Sequence, residues 1–150
     1  MITKDKMFEP ILTATPSFQP AWDEFVHEWE NDPEGLPCYA AISDLARHII
    51  ALHVAKQLDE VKAVMDVLEC WLLDGDGYVR EAATVGLIED LQNLNLHQDG
   101  TKPKDFVRYL GPESLYWWRK VTRFWEKGEL LVDDRRKQRL FTSIFRRFLG

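Results

Sequence analysis

Apolar side chains in this chain recur at steps of three and four residues along most of its length, and no segment alternates at the two-residue step of a half-buried strand. That pattern restricts the chain to helices packed on helices. From Pro20, the spacing of Trp22, Phe25, Val26 and Trp29 predicts a helix that ends at Pro33-Glu34-Gly35. After Pro37 a second helix is marked by Ile42, Leu45, Ile49, Leu52 and Ala55, and a third by Leu58, Val61, Met65, Leu68 and Leu72. Asp59, Lys62, Asp66 and Glu69 share the opposite side of the third helix and read as its acidic exterior. Gly75 and Gly77 supply a permissive backbone between helices. A fourth helix has Val79, Ala83, Leu87, Leu91 and Leu94 as its spine, with Ala82 and Gly86 small enough for close helix approach.

Pro103 opens a short helix through Leu110, and Gly111-Pro112-Glu113 separates it from a longer one. In the longer one Trp117, Trp118, Val121, Phe124 and Trp125 form the apolar side, while Arg119, Arg123 and Lys127 form a basic stripe. Residues 1–19 carry prolines and no sustained period and read as an irregular arm. Residues 129–150 read as a basic amphipathic terminal segment, with Leu140, Phe141, Ile144, Phe145 and Phe148 on one side, docked on the body rather than on a membrane or nucleic acid. The expected fold is all-α: one domain, 1–150, of consecutive antiparallel helices in an irregular stack or bundle.

A chain of 150 residues with 45% apolar and 29% charged side chains can bury one core without metal or disulfide staples. Its two cysteines, Cys38 and Cys70, are not in a Cys-x-x-Cys pair and are expected to be buried thiols. The first residues lack the apolar stretch of a signal peptide, and no run reaches the ~20 apolar residues of a membrane span, so a cytoplasmic location is expected. The net charge of −6 conceals a division: residues 1–100 carry 6 basic and 19 acidic side chains, residues 101–150 carry 13 and 6. The acidic larger part would steer a basic partner toward it.

Few motifs carry chemistry. Asp74-Gly75-Asp76-Gly77 begins like a calcium loop, but Tyr78, Val79 and Val85 occupy the fifth, sixth and twelfth positions, where a ligand, a glycine and a bidentate Glu are required. These carboxylates fit helix capping instead. His48 and His53 are five apart, not the four that place two imidazoles on one metal, and His27 and His97 stand in separate segments. With no nucleophile elbow, zinc-binding or phosphate-cradling motif, no catalysis, cofactor or metal is expected.

Two resemblances add to this. The run DGDGYVREAATVGLIEDL resembles the second part of a HEAT-type repeat through Asp76, Val79, Arg80, Ala82, Ala83 and Leu87, in one copy only. The region from about Leu58 to Lys127, through VREAATVGLIEDLQN at 79–93 and YLGPESLYWWRKVTRFW at 109–125, resembles small helical bacterial immunity proteins encoded beside polymorphic or contact-dependent growth inhibition toxins. The resemblance implies a protein that binds and neutralises a cognate toxin, expected to be a basic nuclease, and brings no catalytic residues with it. Candidate contacts are Asp59, Asp66, Glu69, Asp74, Asp76, Glu89 and Asp90, with Trp71 or Tyr78 as anchors. The competing readings are a HEAT-like adaptor for an endogenous protein or peptide, and an enzyme without a recognisable motif.

Overall fold

The computed structural model describes residues 1–98 and 100–135. Its helices are α1 (Phe8–Ala14), α2 (Gln19–Trp29), α3 (Cys38–Val54), α4 (Leu58–Asp74), α5 (Gly77–Glu81), α6 (Glu89–Gln92) and α7 (Pro112–Lys127). Three 3-10 segments, Pro16–Phe18, Leu94–Leu96 and Pro103–Tyr109, link them. The fold is a single all-α domain, as the periodicity predicts. Among the described residues the only β-type pairing is an isolated parallel bridge between Ile2 and Gly75.

Helices α3 and α4 form the centre. Ile42, Leu45, Ile49 and Ile50 of α3 and Val61, Val64, Met65, Leu68 and Trp71 of α4 are fully buried in one cluster that also takes in α5 to α7. Burying a large aliphatic side chain contributes about 1.5–3 kcal/mol, so these two stripes dominate the favourable term in folding.

The N-terminal region differs from expectation. Residues 1–19 are not an irregular arm: they contain α1 and a 3-10 turn, and Phe8, Ile11, Thr15 and Phe18 are buried. Those four residues are themselves spaced three, four and three apart. Pro10 and Pro16 conceal the period, yet each sits in the first turn of its own element, where the missing N–H removes no helical bond. Phe8 stacks on Trp22 with ring centroids 4.4 Å apart and meets the edge of Trp71 at 6.0 Å. The buried Trp71 indole N–H donates to the Met7 carbonyl at 3.0 Å, tying the N-terminal region to α4.

The predicted fourth helix is continuous but not uniform. Between α5 and α6 the turns Ala82–Ile88 are π-helical. Its spine, Val79, Ala83, Leu87 and Leu91, is spaced at strict four-residue steps, and all four are fully buried. In an α-helix each such step rotates the face by about 40°, which would swing Leu91 far from Val79; the looser π turns absorb that drift. The Thr84 hydroxyl donates to the Arg80 carbonyl at 3.0 Å, competing for the acceptor an α-helical amide would use. Gly86 lets α3 approach: a Cβ there would stand 3.3 Å from Ile42.

Two smaller readings are also corrected. Gly75 and Gly77 are not at positive φ; Gly75 is required by packing, since a Cβ would lie 2.3 Å from the Trp71 carbonyl oxygen. Cys38 is buried, but Cys70 is exposed. After α7, Gly128 in the left-handed region turns the chain back. Arg135 then clamps Glu113 with two bonds of 2.8 and 2.6 Å, and Asp134 accepts from Lys120 at 2.8 Å. The predicted terminal segment, 129–150, lies outside the described residues from 136 onward.

Candidate functional site

The candidate contacts from the sequence are dispersed over the molecule. Asp59 and Asp66 are exposed on α4, and Asp66 pairs with Lys62 one turn earlier. Glu69, read above as part of the acidic exterior, turns inward instead. Its carboxylate accepts from the Glu113 and Ser114 amides at 2.8 Å each and from the Ser114 hydroxyl at 2.6 Å, capping the N-terminus of α7. Gly111 leaves room for this cap: a Cβ there would stand 2.5 Å from the Glu69 carboxyl carbon, and the carboxylate would have to shift. Trp71 is fully buried and is a core residue, not a surface anchor. Asp74 and Asp76 lie beside the Ile2 bridge, whose amide donates to the Asp74 carbonyl at 2.8 Å. The Asp76 side chain caps α5 by accepting from the Val79 amide at 2.9 Å.

Glu89 and Asp90 have a different setting. They form one wall of a groove of about 780 Å³ between α6, the loop after it, the Pro103–Tyr109 segment and α7. Its apolar surface includes Trp118 and Val107 with two large side chains left open to solvent, Leu94 at 73% and Trp125 at 59% exposure. Glu126 adds a third carboxylate to the lining, against one lysine, Lys104. Phe124 and Trp125, expected on the core side of α7, are both exposed.

Neighbouring contacts hold the groove open. Gln92 donates from its side-chain amide to the Trp118 carbonyl at 3.0 Å and the Thr122 hydroxyl at 3.1 Å, fixing α6 against α7. The buried Phe106 ring lies between His53 and His97, with centroids 5.1 and 5.8 Å away. His97 donates to the Leu91 carbonyl at 2.7 Å. The walls of the groove are thus fixed by contacts within the chain itself.

Burial raises the pKa of both Glu89 and Asp90; the Asp90 charge adds to the effect on Glu89, while the Ser43 hydroxyl and Arg47 partly offset it on Asp90. Ser43 donates to Asp90 at 2.9 Å. Among the described residues neither carboxylate has a cationic nitrogen within 4.0 Å. Two carboxylates thus stand partly desolvated beside exposed apolar surface, without a direct counter-ion from those residues.

One hydroxyl, imidazole and carboxylate do meet elsewhere. Ser17 Oγ is 2.9 Å from His48 Nε2 and donates to Glu60 at 2.9 Å. Since the single hydroxyl hydrogen goes to Glu60, the ring is not placed to take it, and the trio serves to dock the N-terminal region. Among the described residues no group of three His, Cys, Asp or Glu could hold a metal ion, and no helix is long and apolar enough to cross a membrane.

The groove could not be found from spacing within one helix, because Leu94 and Trp125 read as spine and core. The signal available in the sequence was their place near helix ends, beside Glu89, Asp90 and Glu126. No curated protein and no solved structure matches the chain significantly. A family described as a domain of unknown function (DUF7674) matches residues 8–126, from the first residue of α1 through Glu126 at the groove, and the chain belongs to that family.

Proposed function

We propose that this protein is a non-catalytic binding protein whose groove accepts a basic segment of another protein, and that the partner is a cognate bacterial toxin neutralised by occlusion. The observation that supports the reading is the conjunction of partly buried Glu89 and Asp90, without a cationic nitrogen within 4.0 Å among the described residues, with the exposed Leu94 and Trp125 in one groove. A lysine or arginine entering the groove gives the carboxylates counter-ions, and covering Trp125 and Leu94 contributes the apolar term. The excess of acidic side chains in residues 1–100 favours rapid encounter with a basic surface. The toxin itself enters from the resemblance carried by residues 79–93 and 109–125.

The test is binding kinetics and growth rescue with a basic toxin encoded beside this gene. Combining Glu89→Gln, Asp90→Asn and Glu126→Gln should slow association by about tenfold at low salt and weaken rescue. Reversal of Asp59 and Asp66 to lysine should have a much smaller effect. Full rescue and unchanged association by the groove variant would place binding elsewhere.

A further inference from the structure

A further cavity, of about 320 Å³, is lined by residues that include the aromatic Trp29, Tyr39 and Tyr78, the acidic Asp32 and Glu34, and Lys4. Tyr39 and Tyr78 meet edge to face, with centroids 6.2 Å apart at 78°. Lys4 Nζ lies 5.0 Å from the Tyr78 ring centroid, so a cation already sits over one of these rings. Its stem is placed by the Ile2 bridge two residues earlier, where Ile2 donates to Asp74 and accepts from Asp76 at 2.8 and 2.9 Å.

We propose that this cavity is an aromatic box for an alkylammonium cation, such as a quaternary trimethylammonium group, and that Lys4 is its internal competitor. Electron-rich ring faces attract a cation within about 6 Å, and a methylated ammonium is favoured over a hydrated one because less water must be removed. Asp32 and Glu34 supply the opposite charge; the Asp32 carboxylate accepts from the Glu34 amide at 2.9 Å, which places Asp32. Tyr78 remains a neutral phenol throughout the physiological range, its pKa pushed up to about 12 by burial and by the neighbouring Cys38 thiol. The cavity thus combines apolar walls, ring faces and net negative charge once Lys4 swings out. Lys4 is exposed and can leave without disturbing the core.

Tetramethylammonium chloride is the probe, titrated against the full chain and followed by the upfield ring-current shift of its methyl protons. Saturable binding is expected in the wild type. Lys4→Ala should tighten it by about two- to fivefold by removing the competitor, and Tyr78→Leu should abolish it in a chain whose far-ultraviolet spectrum is unchanged. The neutral isostere tert-butanol should not bind. Choline and a trimethyl-lysine peptide distinguish a small molecule from a protein side chain as the source: whichever binds more tightly than the probe identifies it. Failure of the probe to bind either the wild type or Lys4→Ala would overturn the proposal and leave the Lys4–Tyr78 contact as a tether. Equal binding of tert-butanol, or undiminished binding by Tyr78→Leu, would overturn it as well.

Discussion

The N-terminal dock and the α6–α7 groove are both built on aromatic residues, but they treat their polar groups in opposite ways. In the dock, Trp71 is buried, Phe8 meets its edge and stacks in turn on Trp22, and the Trp71 N–H finds the Met7 carbonyl. In the groove, Trp125 is left open beside two carboxylates lacking a direct counter-ion among the described residues. The second arrangement adds nothing to stability, since partly buried charge without a counter-ion among the described residues and exposed ring surface both cost free energy. The contrast separates a region whose aromatic and polar groups are satisfied within the fold from the one on which the proposed function rests.

The largest effect should follow from breaking the dock. Trp71→Ala removes the ring from a closed cluster and should destabilise by about 3–5 kcal/mol in denaturant unfolding. Trp71→Phe should cost less, because it keeps most of the packing and loses mainly the bond to Met7. If Trp71→Ala cost no more than Trp125→Ala, the distinction between the two regions would fail.

Next comes Glu69, which links α4 to α7. Glu69→Ala leaves the Glu113 and Ser114 amides and the Ser114 hydroxyl without their acceptor, and should cost about 1–3 kcal/mol. Asp66→Ala, on the exposed side of α4, should change stability by less than about 0.5 kcal/mol. Parallel urea titrations of the two variants would reveal whether the acidic residues of α4 have the unequal roles assigned here.

That inequality shows what the sequence could and could not disclose. The stripes of α3 and α4 were legible because bulk apolar periodicity needs no partner to be recognised. Glu69 was not, because charge on a helix is ordinarily solvated, and only the arrival of Gly111 and the α7 amides makes a buried acceptor useful. Lys120 was hidden for the same reason: it is 2% exposed, and Asp134 and Glu129 return from beyond Gly128 to pair with it. The strict four-residue spine from Val79 to Leu91 did carry a sign of the π turns, visible once its drift is calculated. The groove was half legible: Glu89 and Asp90 were named as contacts, whereas the exposure of Trp125 depends on how far the neighbouring loop covers α7.

Smaller effects concern pH, and here the two regions should have opposite signs. The groove carboxylates have folded pKa values raised above their unfolded ones, so their protonation favours the folded state. Their contribution is present below the unfolded values and is lost as pH rises through the folded ones. Glu89→Gln with Asp90→Asn should therefore leave neutral-pH stability unchanged or raised by up to about 0.5 kcal/mol. The double variant should also lose this pair's own favourable contribution on moderate acidification. A clear loss of stability at neutral pH would mean that the pair supports the fold and is not held in reserve.

His48 in the dock supplies the counterpart and the smallest effect. Burial lowers its pKa below 6.5, with the Glu60 charge opposing, and its Nε2 lies 2.9 Å from Ser17 Oγ and 3.2 Å from Thr15 Oγ1. The unfolded chain therefore binds a proton more readily than the folded one just below the ordinary histidine pKa, and dock stability falls as pH drops from about 6.5 through the folded value. His48→Gln keeps a polar side chain but removes the titration. Its difference from wild type in unfolding free energy, measured between pH 7.5 and 5, should thus shift in favour of the variant as acid is added, by well under about 1 kcal/mol because the ring is only half buried. Amide exchange gives the local version of the measurement. Protection in α1 should decline with acid in wild type and hold in His48→Gln, while protection in α6 follows the groove carboxylates. If α1 and α6 instead respond to acid with the same sign, the dock and the groove titrate as one unit, and the division drawn between them does not govern stability.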